Sequence, residues 1–292
     1  MTAYARPDGL GEAIELLASG DALALAGGSD VVPLLRRGKR APATLVDIRP
    51  LLPSGIEEDG AGLRIGAGTT LAAIARDPRI AAGYVALQQA ASAAAAPQLR
   101  NVGTVGGNLA QAVRCWYYRH PDLTCWLNGG DTCYAQIGDH RKHGLEAGDC
   151  ISVAPSDLSG PLAALGATAT LRGPSGAREV ALLDLYARPD DAHRTSLRLG
   201  PGELIVSLRL PGPPDASHYE RAGERAAWSF ALVAVAAVRR GSERRLVAIG
   251  VTNEPRELDP SDPLRGLDGL EQTGWKRRLL AALCTRALAA TA

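Results

Sequence analysis

The sequence predicts an α+β protein in two parts. A ligand-binding domain covers residues 1–172, built of subdomains 1–55 and 56–172, and a C-terminal α+β domain covers 173–292. Three observations carry this. The first fifty residues alternate between apolar strands and amphipathic helices. Two glycine turns, one around Gly27 and one around Gly106, each follow an ordered element and open another. Near Pro174 the style changes to LLDLYARP, ELIVSLRLPG, WSFALVAVAAVRR and LVAIGVTNEP, read as strands and one helix.

The elements follow in order. Leu10, Ile14 and Leu17 share one helical face, Ala22 to Ala26 is a short strand, SDVVPLLRRG a short helix, and Thr44 to Ile48 a second strand. LRIGAG opens the next segment, and an Ala-rich helical region runs from Thr70 to about Ala96. Residues 113–155 break the pattern, being Gly-dotted and aromatic with little periodicity, the signature of an irregular functional segment. PSDLSGPLAALGATATL resumes helix then strand, and a helix from Thr273 closes the chain.

Composition narrows the function. A hydrophobic share of 46% with 22% charged residues is ordinary for a soluble globular chain. A net charge of +1 gives no reason to expect nucleic acid or an anionic membrane as partner. No apolar run is long enough to span a bilayer, and the start lacks a basic region followed by an apolar one. The expectation is a soluble cytoplasmic protein without its own signal peptide, or a periplasmic one if a partner carries it out.

The glycine turns point to an anion. Gly27-Gly28 lets backbone N–H groups turn towards a ligand, and Ser29 offers a cap or a hydroxyl to a phosphate. Gly103-Thr104-Val105-Gly106-Gly107-Asn108 is a second turn of the same kind, and two together suit a diphosphate. Gly66-Ala67-Gly68 invites a dinucleotide fingerprint, but Leu71 stands where the third glycine belongs, so a Rossmann reading fails.

Four of the five cysteines fall in the irregular segment as Cys115-x9-Cys125-x7-Cys133-x16-Cys150, beside five of the twelve aromatic residues. An odd count and a reducing compartment argue against structural disulfides. Zinc modules favour close cysteine pairs, which are absent, whereas four loop-borne thiolates suit a [4Fe-4S] cluster; zinc stays as the alternative. His120, His140 and His143 read as solvated or hydrogen-bonded loop residues. The aromatics read as a shield over a cluster, the insert's own core, or a partner-facing patch. Arg36, Arg37 and Arg40 form a solvated basic face or a phosphate rim, and Cys284 reads as a core residue of the last helix.

AGGSD (26–30), NVGTVGGN (101–108), SDL (156–158) and YERAGERAAWSFALV (219–233) occur in the order seen in the FAD-binding subunits of molybdenum hydroxylases, which this chain resembles over nearly its whole length. That resemblance implies a vanillyl-alcohol-oxidase (PCMH) type FAD-binding domain of two subdomains, then a C-terminal domain of the carbon monoxide dehydrogenase flavoprotein type. It implies that Ala26, Gly27, Gly28, Ser29, Asp30, Gly103, Thr104, Val105, Gly106, Gly107 and Asn108 hold the FAD diphosphate. Ser156 and Asp157 would contact the ribityl or adenosine part, and Arg221 stands where many relatives have Lys. Ser29 replaces the usual Thr and Val105 the usual Ile, both keeping the chemistry. Residues 113–155 resemble the insert of a subgroup that includes 4-hydroxybenzoyl-CoA reductase and periplasmic aldehyde oxidoreductase, which makes Cys115, Cys125, Cys133 and Cys150 the ligands of a [4Fe-4S] cluster.

The function expected is an electron-transfer oxidoreductase subunit with no catalytic side chains of its own. Its partners would be a molybdopterin-binding large subunit, a [2Fe-2S] small subunit and an external electron acceptor or donor. A zinc-stabilised scaffold module and a standalone flavin oxidase are the alternatives.

Overall fold

The computed structural model describes residues 2–225 and 229–292; Ala226, Ala227 and Trp228, part of the YERAGERAAWSFALV motif, lie outside the described residues. Among the described residues the strands form three sheets. The first is parallel, in the order β1-β3-β2, from β1 (Ala3–Ala5), β2 (Ala22–Leu25) and β3 (Thr44–Asp47). Helix α1 (Leu10–Ala18) joins β1 to β2 and buries Ala13 and Ile14, and α2 (Val31–Arg36) joins β2 to β3. Parallel neighbours need such crossovers because a tight turn cannot reverse the chain twice.

The second sheet is antiparallel, in the order β4-β5-β8-β6-β7. Its strands are β4 (Ile56–Asp59), β5 (Gly62–Gly66), β6 (Thr168–Gly173), β7 (Gly176–Ala181) and β8 (Leu204–Leu210). The expected domain end at residue 172 therefore falls inside β6. Pro174 marks a hairpin in which Gly173 pairs with Gly176, not a linker, and β8 returns to lie between β5 and β6.

The region expected as one long helix is three: α3 (Leu71–Arg76), α4 (Pro78–Gly83) and α5 (Val85–Ala93). Pro78 lacks the N–H that would continue α3. Asp77 ends that helix and caps the next, its Oδ1 accepting the Arg79 N–H at 2.9 Å. Two short helices follow, α6 (Pro97–Arg100) and α7 (Val105–Leu109), the latter capped by Thr104, whose Oγ1 accepts the Gly107 N–H at 3.1 Å. The irregular segment holds only α8 (Trp116–Arg119), α9 (Tyr134–Ile137) and a single 3-10 turn, before α10 (Ser159–Ala164).

The third sheet is antiparallel, β12-β11-β10-β9, from β9 (Ala216–Gly223), β10 (Ala231–Arg240), β11 (Glu243–Ile249) and β12 (Arg256–Leu258), with α11 (Gly274–Ala290) packed on it. The run Ala231 to Val238 looks helical or strand-like in sequence because it is apolar throughout. The reason is burial on both faces. Ala234, Ala236 and Val238 enter the main core, while Val233, Val235 and Ala237 meet Leu280, Leu283, Cys284 and Ala287 of α11. Cys284 thus sits in the core as expected.

Lys276 of α11 is fully buried and donates to the carbonyls of His143 (2.7 Å), Lys142 (3.3 Å) and Gly250. It fastens the irregular segment to the last helix. Replacing it with Met leaves three carbonyls without this donor, at about 1–3 kcal/mol for each one left unpaired. Burial also pulls its pKa down from 10.5 to about 7. Between those values the unfolded chain binds the extra proton, so this group makes stability rise as pH rises from about 7 towards 10.5. Urea midpoints measured from pH 7 to 9 should show Lys276→Met less stable than the native chain, with the gap widening as pH rises.

Candidate functional site

The two glycine turns face each other. A Cβ on Gly27 would lie 2.0 Å from the carbonyl oxygen of Val102 and 3.2 Å from Gly103 Cα, so only glycine allows this approach. Gly28 has φ +71°, the left-handed region that favours glycine. A Cβ on Gly106 would meet Ala67 at 3.0 Å, which holds the second turn against the end of β5. Between the turns opens a cavity of about 290 Å³, lined by Ala26 to Asp30, Thr104, Gly106 and Gly107 and, from the far side, Leu204 and Ile205 of β8. A second cavity of about 160 Å³ shares Ser29, Asp30, Thr104 and Gly107 with it and adds Gly103, Asn108, Arg114 and Asp157. A third, of about 280 Å³, shares Arg114 and Phe230 with the second and reaches Cys115. Val105 stands behind the turn, fully buried.

The structure changes the role of several residues. Asp30, expected at a phosphate, has both carboxylate oxygens engaged: Oδ1 by Arg119 (2.7 Å) and Arg114 (2.9 Å), Oδ2 by the Ala112 N–H (2.8 Å). It anchors the first turn to the irregular segment. Ser156 donates to Asn108 Oδ1 at 2.7 Å, which closes the two roots of that segment on each other. Asp157 is buried and accepts from Tyr219 (2.8 Å) and Arg221 Nε (2.9 Å); burial pushes its pKa up, against the pull of Arg221. Arg221 is therefore committed to Asp157, and it also donates to the Ser229 carbonyl.

The four cysteines are all free thiols. Burial raises Cys115 to about 11, and Cys125 and Cys133 are near enough to raise it further. A hydrogen bond from Cys150 holds Cys133 down at about 5, while Cys150 itself is pushed up by that same contact and by burial. Ser152 Oγ lies 3.2 Å from Cys150 Sγ and His143 Nε2 lies 3.2 Å from Cys115 Sγ. Among the described residues no group of three or more His, Cys, Asp or Glu side chains is placed to hold a metal ion. The sulfurs of Cys115, Cys125 and Cys133, and of Cys133 and Cys150, are close enough to shift one another's titration. A four-iron cube is larger than one ion, and four unpaired thiols on one segment have the right donor chemistry for it.

Of the three histidines in the irregular segment only His120 is exposed. His140 is buried, with Nδ1 by the Gly138 carbonyl, and burial takes buried His143 down to about 4, which keeps it neutral. Two of the aromatics are interior, Tyr118 and Trp126; Tyr117 stacks on Tyr134 at 6.3 Å, both half-buried, and Trp116 meets His143 edge-on at 4.8 Å but is itself exposed. Arg36, Arg37 and Arg40 are exposed, with Arg40 donating to Tyr118 OH at 2.9 Å. Sequence reasoning missed Arg114, Arg119 and Lys39. Their only signal was position, flanking the first cysteine and ending α2.

Fold and site together define a PCMH-type chain of the kind found in oxidoreductase complexes, with paired glycine turns around an elongated cavity. Residues 1–213 match the family described as the FAD binding domain in molybdopterin dehydrogenase, and the chain belongs to that family. It is 35% identical to the aldehyde oxidoreductase FAD-binding subunit PaoB of Escherichia coli K12, over 82% of this chain and 77% of that one. It is 30% identical to the carbon monoxide dehydrogenase medium chain of Afipia carboxidovorans, over 86% and 73%. A solved structure of reconstituted CO dehydrogenase from Oligotropha carboxidovorans shares the fold, with TM-score 0.75 and 24% identity over 100% of this chain and 97% of that one. The family match ends just past β8, where the second sheet closes.

Gly27→Ala forces the turns apart, an overpacking worth about 1–3 kcal/mol. Gly11→Ala, with nothing within 4 Å of its Cβ, is the matched control. Thermal unfolding should show a clear loss for the first and none for the second.

Proposed function

We propose that this chain is the FAD-carrying medium subunit of a molybdenum hydroxylase complex, and that it also holds a [4Fe-4S] cluster on Cys115, Cys125, Cys133 and Cys150. Its partners are a molybdopterin-binding large subunit and a [2Fe-2S] small subunit, and electrons leave to, or enter from, an external carrier. The observation that carries this reading is the set of three cavities that share wall residues in succession from the apposed glycine turns to Cys115. The family match and the likeness to PaoB support it over the scaffold and the standalone oxidase.

Bound there, FAD supplies electron exchange between one- and two-electron carriers, and the cluster supplies single-electron transfer. The chain's part is placement. Backbone N–H groups of Gly27 to Ser29 would receive the diphosphate. The second turn, whose Gly103, Val105, Gly106 and Gly107 N–H groups bond within the chain, would form the facing wall, and Leu204 and Ile205 close the apolar side of the cavity. Asp157, held by Tyr219 and Arg221, keeps the wall by Asn108 rigid. Buried Tyr118, clustered with Cys115 and Cys125, would keep water from those thiols, which tunes a cluster's potential.

Anaerobic purification with the visible spectrum and metal analysis tests this. The expected result is flavin absorption over a brown iron–sulfur shoulder, with about four irons per chain. Changing Cys125 to Ser should lose the iron and keep the flavin. A colourless chain sinks the whole reading, and zinc in place of iron sinks the cluster.

A further inference from the structure

At Asp30, on the wall of the second cavity, two cations meet a single carboxylate. Arg114 and Arg119 share Asp30 Oδ1, so two guanidinium groups divide one carboxylate. Arg119 is satisfied elsewhere, by the carbonyls of Val113 (2.7 Å) and Ala112 (3.1 Å). Arg114 is not. Its Nη2 donates to Gln111 Oε1 at 2.6 Å and its guanidinium lies 4.1 Å from the Phe230 ring centre, but its Nε is buried without a partner. The nearby pairs are balanced, Asp157 by Arg221 and Glu224 by Lys142. A half-buried cation with a divided counter-ion and an idle buried N–H is costly unless an anion joins it.

We propose that Arg114 binds the diphosphate of the flavin dinucleotide and completes the cradle begun by the two glycine turns; this rests on the flavin reading above. Arg114 shares a cavity with Ser29, Gly103, Gly107 and Asn108, and the carboxylate it touches belongs to the first turn itself. Backbone N–H groups offer a phosphate only partial charges, whereas a guanidinium brings a full charge and a planar fork. Asp30 then keeps Arg119 and the Ala112 N–H, so its own site does not depend on Arg114.

The test strips FAD from the full chain and titrates native, Arg114→Gln and Arg114→Lys forms with FAD and with ADP, which carries a diphosphate and no flavin ring. Arg114→Gln should weaken both by roughly 10–100-fold, the scale of a lost charge-assisted hydrogen bond, and Arg114→Lys should recover part. The flavin-free Gln variant should melt no lower than the flavin-free native chain, because it sheds a half-buried charge that divides its one carboxylate with Arg119. Unchanged affinities, weakened FAD with unchanged ADP, or a flavin-free melting point that drops as far as the flavin-bound one would each overturn the proposal. A native chain that binds neither compound would instead overturn the flavin reading itself.

Discussion

The close approach of Gly27 to Val102 is the constraint on which the rest of the molecule depends. The first turn ends a strand of the parallel sheet, whereas the second lies between α6 and α7 and rests on the end of β5 in the antiparallel sheet. A missing Cβ at Gly27 lets one backbone rest on the other, and the glycine at 106 does the same against Ala67. Once these contacts are made, the cavity between the turns has fixed width, and β8 supplies its remaining wall. Backbone-to-backbone contact of this kind leaves little slack, because no side-chain rotamer can absorb a shift.

The C-terminal sheet is tied to the root of the irregular segment through β9. Tyr219 and Arg221 are two apart on β9 and so share a face, opposite Ala236 and Ala234 of β10. The small alanines leave room for both side chains to reach Asp157, just after the irregular segment. Burying Asp157 alone would be costly, and burying it with an arginine and a tyrosine hydroxyl is tolerable. The other face of β10 takes α11, whose Lys276 reaches back to the carbonyls of Lys142 and His143. The segment is therefore gripped from both the flavin-turn side and the C-terminal side.

Much of this was legible in the sequence, for reasons that differ by residue. The glycine turns were readable because their backbone geometry admits no other residue. The cysteines were readable by number and spacing, but their mutual contacts were not, since these depend on how the loop folds. The limit at residue 172 misread a hairpin as a boundary, because Gly173 and Pro174 mark either one, and only the return of β8 decides. Asp30 was assigned to a phosphate by motif alone. Its actual partners lie more than eighty residues on, where no local pattern points. Arg114 was illegible for a related reason: its interest comes from a charge count that exists only after folding.

Helix α2 explains why the irregular segment needs no regular structure of its own. That helix starts from the first glycine turn, and its Leu34 packs with Val113, Tyr118 and Cys125. Beyond it, Lys39 donates to the Leu123 carbonyl at 2.6 Å and Arg40 to Tyr118. With Asp30 holding Ala112 and Arg119, the stretch from 30 to 40 touches the segment on both sides of Cys115. The same eleven residues therefore set the turn that faces the cavity and the position of the first two cysteines. A change of conformation at one end must be felt at the other, since the two share a helix and not a flexible linker.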